Sequence, residues 1–307
     1  MDNIIYISII VPFYHGNGYM LRLLDSIKRC AEYCKDKSRF EVIVVNDSPE
    51  EKVCIPQKFE KMNISVISNE WNMGIQRTRI NGLKYAKGDW ILFLDQDDEL
   101  ICDGFLNQIS LTKTNDVIIG NGLYQIDQCN IPIFHSYREM CYFMHLSRFI
   151  QIRNLIPSPG ECLLRKDIIP QKWIENPLDN NGADDWLLWI LLLKNEARVG
   201  CNPNLVYIHN NTHGKNLSSD LNKMKESSCE MYKLLTNLKC LNEDEKIDLK
   251  NAIMFKYLQD TKKLRLKDLW KYRSTILANV CYKAHVIAYR TLKEQVQMNR
   301  VKNHKKL

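Results

Sequence analysis

The sequence predicts an α/β fold, a mostly parallel sheet flanked by helices, with a helical C-terminal extension. Three observations point there. Short β-branched runs alternate with helix-length segments through the first hundred or so residues, the pattern of right-handed βαβ crossovers. Polar residues stand at the carboxyl ends of those runs, where open α/β sheets bind ligands. Beyond about residue 220 the chain reads as helices, with no repeat and no low-complexity tract.

Taken in order, Ile4 to Val11 is apolar and β-branched, as suits a strand buried on both faces. After a turn bearing Gly16 and Gly18, residues Leu21, Leu24, Ile27, Ala31 and Cys34 recur at helical spacing. A second buried run, Phe40 to Val45, ends in Asn46-Asp47-Ser48. Ile64 to Ile67 gives a short strand, Gly74 to Lys87 a helix, and Trp90 to Leu94 another buried strand. From about Asn121 to Asn181 the chain is irregular, punctuated by five prolines. Asp184-Asp185 then opens a strongly apolar helix, Trp186 to Leu193, and Val206 to His209 forms a last short strand. The expected division is an α/β domain over 1–220, with halves of about 1–120 and 121–220, and a helical basic region over 221–307.

Composition narrows the class. Over 307 residues, 45% hydrophobic and 26% charged is ordinary for a globular chain and excludes collagen-like and disordered readings. No uncharged apolar run reaches the roughly 18 residues a bilayer crossing needs. The N-terminus lacks the basic-then-apolar pattern of a secretory signal, so a cytosolic location is expected. Eleven cysteines without a C-x-x-C pair are expected to be reduced core thiols. The net charge of +7 is unevenly spread: residues 262–307 carry thirteen Lys or Arg against Asp268 and Glu294, leaving the first 261 residues at −4. The basic character therefore speaks to docking by the tail.

Three constellations carry chemistry. Asp95-Gln96-Asp97-Asp98 follows a buried strand, and three carboxylates in four residues repel one another unless solvent or a cation neutralises them. Mg²⁺ or Mn²⁺ suits such oxygen donors, with phosphate and water completing the shell. A solvated helix-capping turn is the plain alternative. Asp184-Asp185 fits a capped helix start, and one of the pair can instead face a cleft as a general base. His209 and His213 lie in a polar segment after that pair. Gly16-Asn17-Gly18 with Asp47 imitates a dinucleotide fingerprint, but Leu21 holds the third glycine position, which excludes it.

The segments Ile9-Ile10-Val11-Pro12-Phe13-Tyr14-His15, Val44-Val45-Asn46-Asp47-Ser48, Asn72-x-Gly74 with Arg79 and Gly82, Gly88-Asp89 and Leu94-Asp95-Gln96-Asp97-Asp98 stand in a recognisable order. Together they resemble a family 2 glycosyltransferase, an inverting enzyme of the GT-A fold. The resemblance is dense over about residues 5–105 and looser from Ala183 to Ser218. It implies that Pro12 and Tyr14 line the nucleotide-base pocket and that Asp47 holds the base edge, uracil in most of the family. Arg79 would support the nucleotide or diphosphate. Asp95 would lie near the ribose and Asp97 on a divalent metal, Mn²⁺ or Mg²⁺, bridging the diphosphate. Asp185 matches the catalytic base, with Asp184 where Glu is usual, and His213 matches a loop histidine placed toward the metal or diphosphate. His15, Asn46 and Ile80 depart from the family pattern, and Asn46 changes the charge expected beside the base.

The implied reaction is attack of an acceptor hydroxyl on the anomeric carbon of a UDP-sugar. Its acceptor would be a glycan or lipid-linked molecule in surface-polysaccharide synthesis. A sugar nucleotidyltransferase would need a basic Gly-rich loop after the first strand, and Tyr14 to Gly18 has no Lys or Arg. A non-catalytic relative that binds nucleotide or glycan is opposed by retention of Asp95, Asp97 and Asp185. Between Leu266 and Tyr289, apolar residues recur three and four apart among lysines and arginines. Either this is a helix packed on the catalytic domain with a solvated face, or 262–307 lies on an anionic membrane surface. No recognition motif supports nucleic acid as a partner.

Overall fold

The computed structural model describes residues 5–35, 38–126, 129–210 and 220–289. Nine strands form one sheet in the order β3-β2-β1-β4-β8-β6-β9-β5, with β7 on β6. Its first half is the predicted parallel unit. β1 (Ile5–Phe13) lies between β2 (Ser38–Asn46) and β4 (Trp90–Phe93), and β3 (Ile64–Ser68) flanks β2, all parallel. Side chains alternate across these strands. Ile7, Ile9, Val11, Val42 and Val44 enter one buried cluster with Leu23, Leu24 and Ile27 of α1 (Met20–Tyr33). Ile10, Ile43 and Val45 enter the other, with Ile80 and Leu83 of α2 (Ile75–Tyr85). Burial on both faces is what the unbroken apolar runs require.

The parallel run stops at β4. β8 (Cys162–Arg165) is antiparallel to both β4 and β6 (Val117–Ile126), β5 (Glu99–Leu100) is antiparallel to β9, and β7 (Cys129–Pro132) to β6. The sheet is therefore mixed. Two expectations change with it. The stretch after Asn121 supplies two sheet strands and three short helices, α4 (Tyr137–Phe143), α5 (Leu146–Gln151) and α6 (Gln171–Glu175). The last strand, β9 (Val199–Asn210), is much longer than Val206 to His209. Pro203 hid it, because proline breaks a ladder, and here the β6–β9 register shifts around Gly120 to Gly122 to accommodate the irregularity.

α7 (Asp184–Lys194) is apolar nearly all round because it is buried nearly all round. Met231 and Leu235 of α8 (Leu221–Asn237), and Leu249 and Ile253 of α9 (Glu243–Asp260), share its cluster. The core thus runs past residue 220 without a break. The basic segment forms two helices, α10 (Leu266–Lys271) and α11 (Arg273–Tyr289). They dock through the residues between the expected apolar positions. Tyr272, Thr275 and Ala278 are buried, and the Tyr282 ring stacks on Phe143 at 4.6 Å. Leu266, Trp270 and Leu277 remain 87%, 77% and 64% exposed, so the apolar stripe faces outward. No helix among the described residues is long and apolar enough to cross a membrane. Ten of the eleven cysteines are free thiols, Cys30 and Cys34 buried as expected.

Candidate active site

The carboxyl ends of β1, β2 and β4 converge on a cavity of about 810 Å³. Pro12, Tyr14, Asp47, Arg79, Asp95, Asp97 and Asp185 all line it. Seven of the eight residues singled out from sequence are thus brought together; His213 lies outside the described residues.

Register explains the convergence. Phe13 pairs with Asn46, and the Asp47 amide donates to the Phe13 carbonyl at 2.7 Å, which sets Tyr14 and Asp47 side by side. Asp47 accepts from the Asn69 amide (2.7 Å) and from the backbone N–H groups of Met73 (2.7 Å) and Gly74 (3.0 Å). It thereby shapes the loop that leads into α2 as well as the cavity edge. Asn46 turns away from the cavity: its Oδ1 accepts from Ser48 N at 3.0 Å and its Nδ2 donates to the Glu51 carbonyl at 2.8 Å. The residue expected to alter the charge beside the base instead builds a turn, as Asn does well.

The Asp95–Asp98 turn is held from three sides. Gln96 clasps Tyr14 through both backbone groups, each at 2.9 Å, and Arg22 and Asn210 donate to the Asp97 carbonyl at 2.7 and 2.9 Å. Each acid has a different environment. Asp95 accepts from Arg79 Nη2 at 2.7 Å and from Ser158 Oγ at 3.2 Å. Asp98 is fully buried, neither capping a helix nor reaching the cavity, and accepts from the Tyr207 hydroxyl and from Asn210 N at 2.9 Å, with His209 Nδ1 at 3.3 Å. Burial still raises it. Asp97 accepts no side-chain hydrogen bond among the described residues. Burial, then Asp98 and Asp95, pushes its carboxyl up to about 7.

The facing wall begins with α7. Ala183, not either aspartate, is its N-cap; Asp184 and Asp185 both sit in the first turn. Asp184 turns inward to Arg79 Nη1 at 2.7 Å. Burial works against the Arg79 charge, but Asp95 and Asp184 outweigh it and hold the guanidinium protonated. Asp185 turns to the cavity, accepting from Asn154 Nδ2 at 2.9 Å and Trp186 N at 2.7 Å. Burial first, then Asp184, raises it to about 8, with Arg79 pulling the other way. A carboxylate so raised is poised to accept a proton near neutral pH.

Sequence reasoning missed the supporting residues Gln96, Asn154, Ser158 and Tyr207. Only Gln96 carried a signal, its place between two acids. His209, one of the polar pair noted from sequence, lines the cavity. Burial would lower its pKa, but Asp98 and the neighbouring aspartates raise it. Among the described residues no group of three or more Asp, Glu, His or Cys is arranged to hold a metal ion. The donor chemistry nevertheless fits a hard divalent cation: Asp97 is unpartnered among like charges, and such ions take one or two carboxylates with phosphate and water.

Known proteins share this fold. A Staphylococcus aureus TarS fragment (residues 1–349) solved with UDP-GlcNAc superposes with a TM-score of 0.60 at 19% identity, covering 90% of this chain and 80% of that one. A mannosyltransferase from Pyrobaculum calidifontis, solved with GDP-Man and Mn²⁺, gives 0.55 at 13% identity over 99% and 81%. These likenesses establish the GT-A fold. In sequence, an uncharacterized glycosyltransferase of Haemophilus influenzae is 40% identical over 125 residues, 41% of this chain and 40% of that protein's length. The Escherichia coli β-1,3-glucosyltransferase WfgD, named for UDP-Glc and α-D-GlcNAc-diphosphoundecaprenol, is 25% identical over 64% of this chain and 73% of its own. The model of glycosyl transferase family 2 matches residues 8–171, which hold both the β1-β2-β4 edge of the cavity and the turn of acids. With more than half its length matched and the motif residues gathered around one cavity, the chain belongs to glycosyl transferase family 2.

Proposed function

We propose that this chain is an inverting glycosyltransferase that moves a sugar from a UDP-sugar donor to a hydroxyl of a glycan or lipid-linked acceptor in surface-polysaccharide synthesis. The observation that carries the reading is the single cavity in which the nucleotide-side residues Pro12, Tyr14, Asp47 and Asp95 face a proton-accepting carboxylate, Asp185, on a different element. Relatives named for UDP-Glc, and a structural neighbour solved with UDP-GlcNAc, support the donor class.

Roles follow from the geometry. Tyr14, half exposed at the mouth, offers a ring to the base, with Asp47 at its edge. Arg79 braces Asp95 against Asp184, so the ribose-side carboxylate is held without a mobile counter-charge. Asp97, which lines the cavity, would hold a divalent cation; its expected companion His213 lies outside the described residues. When bound, such an ion neutralises charge on a departing diphosphate. Asp185, oriented by Asn154, takes the proton of the attacking hydroxyl, and inversion follows when base and leaving group lie on opposite faces of the sugar.

The same reading sets the protein on the inner face of a membrane. Its support is the outward apolar stripe of α10 and α11, flanked over 262–289 by seven Lys or Arg against Asp268 alone.

The test is thermal stabilisation by a panel of nucleoside diphosphates with and without Mn²⁺, followed by transfer assays. UDP is expected to stabilise in a metal-dependent way. Asp97→Ala should lose that stabilisation, while Asp185→Ala should keep it and lose turnover by about a hundredfold or more. Preference for GDP would overturn the UDP assignment, and near-normal turnover in Asp185→Ala would overturn the base.

A further inference from the structure

The charges around the cavity are segregated. Asp47, Asp95, Asp97 and Asp185 belong to the sheet side and to α7, whereas the wall supplied by α8 and α9 brings lysines. On α8, Leu221, Met224, Lys225 and Ser228 face the cavity; on α9, Ile253, Lys256, Tyr257 and Asp260 do. Each set follows the i, i+3, i+4, i+7 spacing of a single helix face. Arg153 joins them from the segment after α5, one residue from the Asn154 that orients Asp185.

Two of these cations, Lys225 and Arg153, are held without being neutralised. Lys225 Nζ sits over the Tyr257 ring at 4.6 Å. Arg153 donates to the Tyr282 hydroxyl at 3.2 Å, and its guanidinium lies 5.4 Å from that ring. Neither is paired with a carboxylate among the described residues. Lys256 shares Asp260 at 2.6 Å. Aromatic faces position a cation and leave its N–H groups free for an anion. A second anion, apart from the diphosphate proposed at the Asp97 cation, would find its charge complement on this wall.

We propose that Arg153, Lys225 and Lys256 form a subsite for a phosphate group on the acceptor, so that the acceptor is a phosphorylated glycan whose attacking hydroxyl reaches Asp185 while its phosphate rests against α8 and α9. The phosphate is a handle and is not transformed. The inference rests on the glycosyltransferase reading for the word acceptor; the anion subsite itself stands on the geometry.

The probes are a hexose 1-phosphate and the methyl glycoside of the same hexose, titrated into the full chain with saturating UDP and Mn²⁺. The expected result is at least about tenfold tighter binding of the phosphorylated probe, weakening as salt is raised. That preference should vanish in Lys225→Gln/Lys256→Gln and survive in Lys225→Arg/Lys256→Arg. Absence of the preference in the wild-type chain at saturating UDP, or its retention in the Gln variant, would each overturn the subsite. Displacement by phosphatidylglycerol vesicles would overturn it too, assigning the cations to lipid headgroups. Nucleotide stabilisation without phosphate preference removes the subsite and leaves the proposed function standing. Phosphate preference without any nucleotide response does the reverse.

Discussion

Glu161 carries its carboxyl group into the interior, fully buried, with neither oxygen hydrogen-bonded among the described residues. Burial, with Asp98 nearby, raises its pKa well above the ordinary carboxylate value. Such a group is protonated in the folded chain and ionised in the unfolded chain above pH ~4.3. The unfolded state therefore binds fewer protons, and stability falls as pH rises through that window. Glu161→Gln should raise the melting temperature at pH 7 to 8, with the gain shrinking toward pH 4; parallel pH profiles for the two proteins would contradict this. Asp185 runs on the same physics with a functional outcome. Its raised pKa means the proposed base is ionised only toward alkaline pH, so turnover should climb with pH along an acid limb near 8. An acid limb in the ordinary carboxylate range near 4 would remove Asp185 from that role.

At the scale of elements, two backbone joints decide how the walls meet. Gly74 at φ +84 starts α2, and Gly182 at φ +125 precedes α7. A Cβ on Gly182 would stand 2.5 Å from Met224 Sδ of α8. Gly182→Ala should therefore lower stability by ~1 kcal/mol or more, chiefly through φ strain, with the Met224 side chain having to shift as well. Gly18→Ala, where a Cβ meets nothing within 4 Å, should change the melting temperature little. The C-terminal helices pose the second question of this scale. Removing them would uncover Phe143 and Phe255, which contact Tyr282 and Tyr272. Outward substitutions are the cleaner probe. Leu266→Ser/Trp270→Ser/Leu277→Ser should abolish flotation with phosphatidylglycerol vesicles while leaving the fold intact. Unchanged flotation would dismiss that face as a lipid contact.

Across the whole molecule, the cavity is closed by parts of the chain that are distant in sequence. Ser227 of α8 accepts the Ala183 N–H at 3.0 Å and donates to the Asn180 carbonyl at 2.7 Å, tying the C-terminal helices to the turn that presents Asp184 and Asp185. Glu230 adds bonds to the Asp179 and Asn180 amides at 2.6 and 2.9 Å. The helical region thus supplies a wall of the cavity as well as a basic tail. The sheet side of the cavity was legible because its residues lie at the ends of short, strongly apolar strands, where periodicity and placement both signal. The helical side was not, since lysines on an amphipathic helix look the same whether they face solvent or a cavity.

By itself, the sequence determined the parallel β1-β2-β4 unit, the convergence of Tyr14, Asp47 and Asp95 to Asp98 at its carboxyl edge, and the family those motifs mark. These follow from local patterns: strand hydrophobicity is encoded residue by residue, and crossover handedness leaves few ways to assemble it. Only the tertiary structure decided how each of several aspartates is partnered. Asp98 is locked behind Tyr207, Asp184 is spent on Arg79, and Asp97 and Asp185 are left facing the cavity. It also turned the apolar stripe of α10 and α11 outward, because Tyr272 and Tyr282 found aromatic partners on the domain. Charge and burial at a site are sums over neighbours far apart in the chain, and no local pattern contains that sum.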